Sequence, residues 1–199
     1  MSKNYNEDIE QIRSMMERSS RFISLSGLSG IFTGIVGCVA AVLLYSVRSE
    51  LSEIGTIDAI RIRNKIVLIP LISMLVAFAG ASFFTIRKTK RNNLPIWSAL
   101  TKRILINFLI PLAAGGIFCL ALINMGLVSL LIPTTLIFYG LALFNVGKFT
   151  FRETSILAVG EIILGFSALF LPQFGIWIWG IGFGLFHILY GLIVQRKYH

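Results

Sequence analysis

Charge is what this 199-residue chain has least of: Asp, Glu, Lys and Arg together make up 14% of it, against about 25% in a soluble domain. With 56% hydrophobic residues and a mean hydropathy of +0.83, the chain has too much apolar surface to hide in a soluble core, so the bilayer is its solvent. Acids are scarcer than bases, 9 against 18, for a net charge of +9. That surplus lies in short segments between apolar runs. No basic domain stands outside the membrane, which disfavours nucleic acid as a partner. Only two cysteines occur, Cys38 and Cys119. Both fall inside apolar runs without a Cys or His neighbour at ligand spacing, so no metal is expected. No P-loop, GxGxxG before a helix or HExxH is present, and no cofactor is expected. The acids Glu7, Asp8, Glu10 and Glu17, and the length of the apolar run behind them, argue against a cleavable signal peptide.

Six apolar runs fill the rest: 23–45, 66–86, 104–124, 127–144, 155–171 and 174–194. A helix needs about 20 such residues to span a bilayer, within about 17–25. The runs do not alternate as barrel strands would. The expected fold is all-α, a polytopic six-helix bundle of three antiparallel hairpins, occupying residues 22–199. Residues 1–21 place Ile9, Ile12 and Met16 on one face, with Glu10, Arg13, Glu17 and Arg21 at ion-pair spacings. They predict a short amphipathic helix on the cytoplasmic membrane surface, with protein docking as the alternative.

Counting Lys and Arg by segment puts 14 on the face that carries both termini and the 87–103 loop. The other face has 4, Arg48, Arg61, Arg63 and Lys65, all in the 46–65 loop. The positive-inside rule then sets both termini in the cytoplasm, in a cytoplasmic (inner) membrane. The loop cations Arg87, Lys88, Lys90, Arg91, Lys102 and Arg103, with Trp97 among them, form the expected contact with anionic headgroups. The tripeptide Leu-Ile-Pro recurs at 68–70, 109–111 and 131–133, too faint a repeat to carry a function.

Small residues mark packing seams. Gly27, Gly30, Gly34, Gly37 and Ala41 share one face of the first span. Ala158, Gly165 and Ala168 do so in the fifth, and Gly180, Gly184 and Gly191 in the sixth. Two ionisable residues fall on those seams, Glu161 in the fifth span and His187 in the sixth. Helical rise puts both about 10 Å below the cytoplasmic edge. A turn of two residues makes these helices antiparallel neighbours; equal depth on facing seams means the two side chains can meet. A charge in mid-membrane costs about 2.5–3.5 kcal/mol on insertion scales; it must be paired, protonated or wetted. Tyr190, one turn from His187, and Tyr139 in the fourth span lie at similar depth and complete the candidate cluster. Polar glue between two helices explains the pair as well as function does.

One further motif points to chemistry. Gly27-Leu28-Ser29-Gly30 resembles the GxSG of rhomboid proteases, which also use a histidine on a sixth helix. Here the serine is in the first span, and no second-span His or Asn supports it. Residues 13–30, 161–165 and 182–191 resemble a family of uncharacterised bacterial six-span membrane proteins along the full chain. That resemblance implies the fold and no activity. The last hairpin also resembles, in pattern, acid-resistance membrane proteins of the HdeD type.

The function expected is that of a small, non-enzymatic accessory, regulatory or stress-related membrane protein. A proton-coupled transporter or channel using Glu161 and His187 is the alternative, and an intramembrane enzyme the third reading. The partner expected is the bilayer with its anionic lipids; a second copy of the chain stays open. A cysteine placed at Ser52, with Cys38 and Cys119 replaced by Ala, should react with an impermeant maleimide on intact cells. One at Lys90 should react only after lysis. Labelling of residue 90 from outside would contradict this topology.

Overall fold

The computed structural model describes Ile9 and residues 26–50, 58–93 and 95–198, with residues 48–50 and 58–63 described by backbone alone. The surface helix expected over 1–21 lies outside the described residues apart from Ile9. Six helical segments are long and apolar enough to cross a membrane, and no strand occurs among the described residues. The chain is an all-α, multi-pass membrane bundle.

The first five spans are α1 (Gly27–Glu50), α2 (Asp58–Arg91), α3 (Ala99–Asn124), α4 (Leu131–Gly147) and α5 (Arg152–Phe170). The sixth is composite. A 3₁₀ turn at Pro172–Phe174 leads into α6 (Gly175–Gly180), a wide π-helical turn at Ile181–Phe186, and α7 (His187–Tyr198). Helices outrun the apolar runs because backbone hydrogen bonding does not stop at the membrane surface. The 46–65 loop therefore shrinks to 51–57, outside the described residues. The basic loop shrinks to 92–98, so its cations stand on the last turns of α2 and the first turns of α3. Asn93 leaves α2 with a φ of +53°, and the Ser98 side chain caps α3 by accepting from the Thr101 amide at 3.1 Å. Gly126, at a φ of +74°, makes the tight turn between α3 and α4.

Packing is uneven around the bundle. α4 lies closest along α5, α1 packs on α2 and on the sixth span, and α3 packs on α4. α2 and α3 hardly touch. The core gathers at Leu136, Ala40, Leu44, Ala168 and Trp179, where α1, α4, α5 and the sixth span converge.

The seams pair differently from the sequence reading. A Cβ at Gly34 would lie 2.6 Å from the Gly184 carbonyl oxygen, and one at Gly27 2.6 Å from that of Gly191. The seam glycines of the sixth span, Gly184 and Gly191, thus face α1, and Gly180 meets Ala41. Those of the fifth face α4: a Cβ at Gly165 would strike Ile137, and one at Gly140 would lie 2.9 Å from the Ala158 carbonyl. The two seams do not face each other as expected. Small residues pair with small residues where backbones can approach most closely, and α1 offers the sixth span a longer glycine face than α5 does.

Candidate functional site

Glu161 projects from the middle of α5 and is fully enclosed, at 0% exposure; His187, the first residue of α7, is 3% exposed. The structure brings the two together, with His187 Nδ1 3.4 Å from Glu161 Oε1. The contact depends on how the sixth span is wound ahead of His187. The π-helical turn makes one wide loop of backbone ahead of His187, and the imidazole Nδ1 lies 3.0 Å from the Gly182 carbonyl. Such i→i+5 turns are rare and recur at functional sites. Gly182 also makes room for the acid: a Cβ there would fall 2.5 Å from Glu161 Oε2 and 2.8 Å from Leu136 Cδ2.

A carbonyl can only accept, so Nδ1 carries the proton and donates to Gly182. Nε2 is then the acceptor, and the Tyr139 hydroxyl of α4 donates to it at 2.8 Å. Glu161, His187 and Tyr139 form one line across α5, α7 and α4. Tyr139 and Phe183 hold the imidazole from the side, with ring centroids 5.4 and 6.0 Å away. Neither carboxyl oxygen of Glu161 has a hydrogen-bond partner among the described residues. Buried polar groups are nearly always bonded, so this one stands out. The polar group set against it is the His187 imidazole, 3.4 Å away. Protons entering or leaving such a pair belong to both groups jointly.

Tyr190 is near but not in the line. Its hydroxyl pairs with Thr154 Oγ1 at 3.1 Å, tying α7 to α5. Other cross-links went unseen in the sequence. Lys197 Nζ donates to Glu153 Oε1 at 2.6 Å, the Tyr198 hydroxyl donates to Glu153 Oε2 at 3.2 Å, and Tyr198 stacks on Phe151 at 4.1 Å. They close the basic end of the last hairpin. The signal for them in the sequence is an acid in the first turn of α5, opposite a C-terminal lysine.

A cavity of about 450 Å³ opens beside the line. Tyr139, His187 and Tyr190 stand on its wall with Ser29, Thr85 and Thr89, while Glu161 does not. The Ser29 hydroxyl donates to the Ser26 carbonyl, and His187 Nε2 accepts from Tyr139, so the structure does not pair this serine with the histidine. Among the described residues no three His, Cys, Asp or Glu side chains gather as metal ligands. At the basic end Arg87, Lys90, Arg91, Lys102 and Arg103 are exposed and Lys88 is half-buried. Trp97 is 65% exposed, with Lys102 Nζ 5.9 Å from its ring centre.

Comparison with family models, with curated proteins and with solved structures finds no match to this chain.

Removing one partner of the buried pair strands the other. Glu161→Gln and His187→Phe should each destabilise the protein in detergent, by about 3 kcal/mol where the remaining group keeps its charge. The double variant should fall short of the sum by about 0.5–3 kcal/mol. A double-mutant cycle on thermal stability measures this, and strict additivity would show that the two residues do not interact.

Proposed function

We propose that this is a non-enzymatic membrane protein of regulatory or stress-related type, whose responsive element is the Glu161–His187–Tyr139 line. It sits in a cytoplasmic (inner) membrane with both termini inside, an orientation supported by the 14-to-4 bias of Lys and Arg. The observation that carries the reading is the asymmetry of the line. Its acid end is sealed in the bundle, whereas its phenol end stands on a cavity wall.

The chemistry of the line supports a switch. With neutral imidazole, Nε2 accepts and Tyr139 spends its hydrogen on it. Once the pair takes up a proton on the imidazole, Nε2 becomes a donor. The phenol oxygen must then accept, and its hydrogen turns toward the cavity. One proton at a buried site thereby changes a cavity wall from acceptor to donor without moving a helix. Whatever occupies the cavity, or whatever helix packing depends on it, responds to that exchange. Among the described residues the other titratable side chains near the line include Tyr190 on α7, Cys38 on α1 against Gly184, and Cys119 on α3, which shares a cavity wall with Tyr139.

A second reading, a proton-coupled carrier or channel, is favoured by the cavity's reaching His187 and Tyr139. Ion and proton pathways are lined by polar or charged groups, and this cavity is mostly apolar with the carboxyl group off its wall.

Two measurements on the protein in liposomes separate these readings. Thermal stability of the wild type should change with pH by several degrees, since about 1 kcal/mol corresponds to roughly 2–4 °C for a chain of this size. The change should be absent in Glu161→Gln. An imposed pH gradient should drive no proton flux above that of Glu161→Gln liposomes. Glu161-dependent flux would favour the carrier, and a wild-type melt indifferent to pH would remove the switch.

A further inference from the structure

The crevice left between α2 and α3 is a structural feature in its own right. α2 and α3 each pack on an inner helix but hardly on each other, so the bundle is open on that side. Two cavities of about 450 and 290 Å³ lie in the gap. They share Thr33, Phe78, Ala81, Phe108 and Tyr139 in their walls and are successive lengths of one trough. Along α2 the lining runs from Thr89 to Pro70, roughly 28 Å at 1.5 Å per residue. The hydrocarbon core of a bilayer is about 30 Å thick. Each cavity is also within the range of about 300–1,000 Å³ typical of ligand pockets, or close to it.

The two ends of the trough differ. Its far length is walled by Met74, Ala77, Leu112, Phe138, Trp179 and Phe183, a surface that offers water almost nothing to bind. An apolar space of this kind stays dry or takes up hydrocarbon, and hydrocarbon is what the bilayer supplies at its open side. The near length ends under Ile96, Trp97 and Thr101. Directly there, Arg87, Lys90 and Arg91 close α2 and Lys102 and Arg103 open α3, all exposed. No Asp or Glu occurs between residues 87 and 103. A long apolar slot under a purely cationic rim matches one amphiphile by shape and by charge.

We infer that the crevice between α2 and α3 is a binding site for an anionic membrane lipid, one acyl chain lying in the slot and the headgroup on the cations of the rim. Trp97, at the interface, closes the slot over the top of the chain. The site goes beyond the proton switch and does not rest on it: His187 and Tyr139 stand on the slot's wall, but the shape of the slot and the cations of its rim are there whether or not the pair takes up a proton.

The test is native mass spectrometry of the whole protein, released from nanodiscs of phosphatidylglycerol and phosphatidylcholine. The wild type should retain one phosphatidylglycerol and no comparable phosphatidylcholine. Ala81→Trp, which fills the slot, should lower retention at least tenfold. Replacing Lys90, Arg91, Lys102 and Arg103 by Gln should lower it by about a hundredfold or more, as several surface cations act together. Ile117→Trp, on the lipid-facing side of α3 at 69% exposure, should change nothing. If Ala81→Trp does not fold, Ala81→Leu is read the same way with a smaller loss. Retention untouched by the slot variants would place the lipid on the outer surface and overturn the inference. So would equal retention of phosphatidylcholine, or a wild type that keeps no lipid.

Discussion

A carboxyl group in the middle of a membrane protein must find something to answer its charge or its hydrogen-bonding capacity. Here the answer is a single imidazole, and much of the surrounding structure follows from that arrangement. Glu161 has 0% exposure and no hydrogen bond among the described residues, with His187 Nδ1 3.4 Å away. For the ring to reach it, the sixth span departs from α-helical winding over Ile181–Phe186. For the acid to fit, residue 182 must lack a side chain. The far nitrogen of the ring is then spoken for by Tyr139. The Tyr139–His187 hydrogen bond ties α4 to the sixth span, and Glu161 of α5 is packed against the same ring.

The second constraint is close backbone approach. Lipid gives helices little hydrophobic reason to associate, so van der Waals packing of small residues decides who pairs with whom. α1 spends its glycines on the sixth span, and α4 and α5 spend theirs on each other. α2 and α3 turn their glycines away from each other: Gly80 meets Phe32 of α1, Gly115 meets Phe138 of α4, and Gly116 meets nothing within 4 Å. Both are attached to the bundle along one side only, and the gap between them is the outcome. The enclosed polar line and the open apolar slot are thus products of the same distribution of glycine, with Tyr139 belonging to both.

Much of the architecture was legible in the residues themselves. Six long apolar runs are six spans, because nothing but a bilayer accommodates that much hydrocarbon. Glu161 and His187 stand out because ionisable groups are costly there, and a short turn at Pro172 leaves their helices adjacent. What stayed hidden depended on three-dimensional choices with no local signal. Spacings of three and four place glycines on a face without saying which helix that face meets: the seams of α5 and the sixth span point to α4 and to α1 rather than to each other. Gly182 lay off the expected seam, and its role comes from the carboxyl group beside it. The π-helical turn has no pattern beyond a run of glycines. Tyr190, one turn from His187, went to Thr154 instead, because its hydroxyl found a partner nearer the basic end.

The central claim is that Glu161 and His187 hold their proton jointly and that Tyr139 responds to it. Infrared difference spectroscopy of the protein in lipid, across a pH titration, observes this at the atoms concerned. The account predicts a carboxyl C=O band that changes with pH in step with a tyrosine band. Both changes should be lost in Glu161→Gln, the tyrosine change alone should be lost in Tyr139→Phe, and the carboxyl band should be displaced in His187→Phe. A carboxyl band that titrates identically with and without His187, or a tyrosine band indifferent to Glu161, would contradict it.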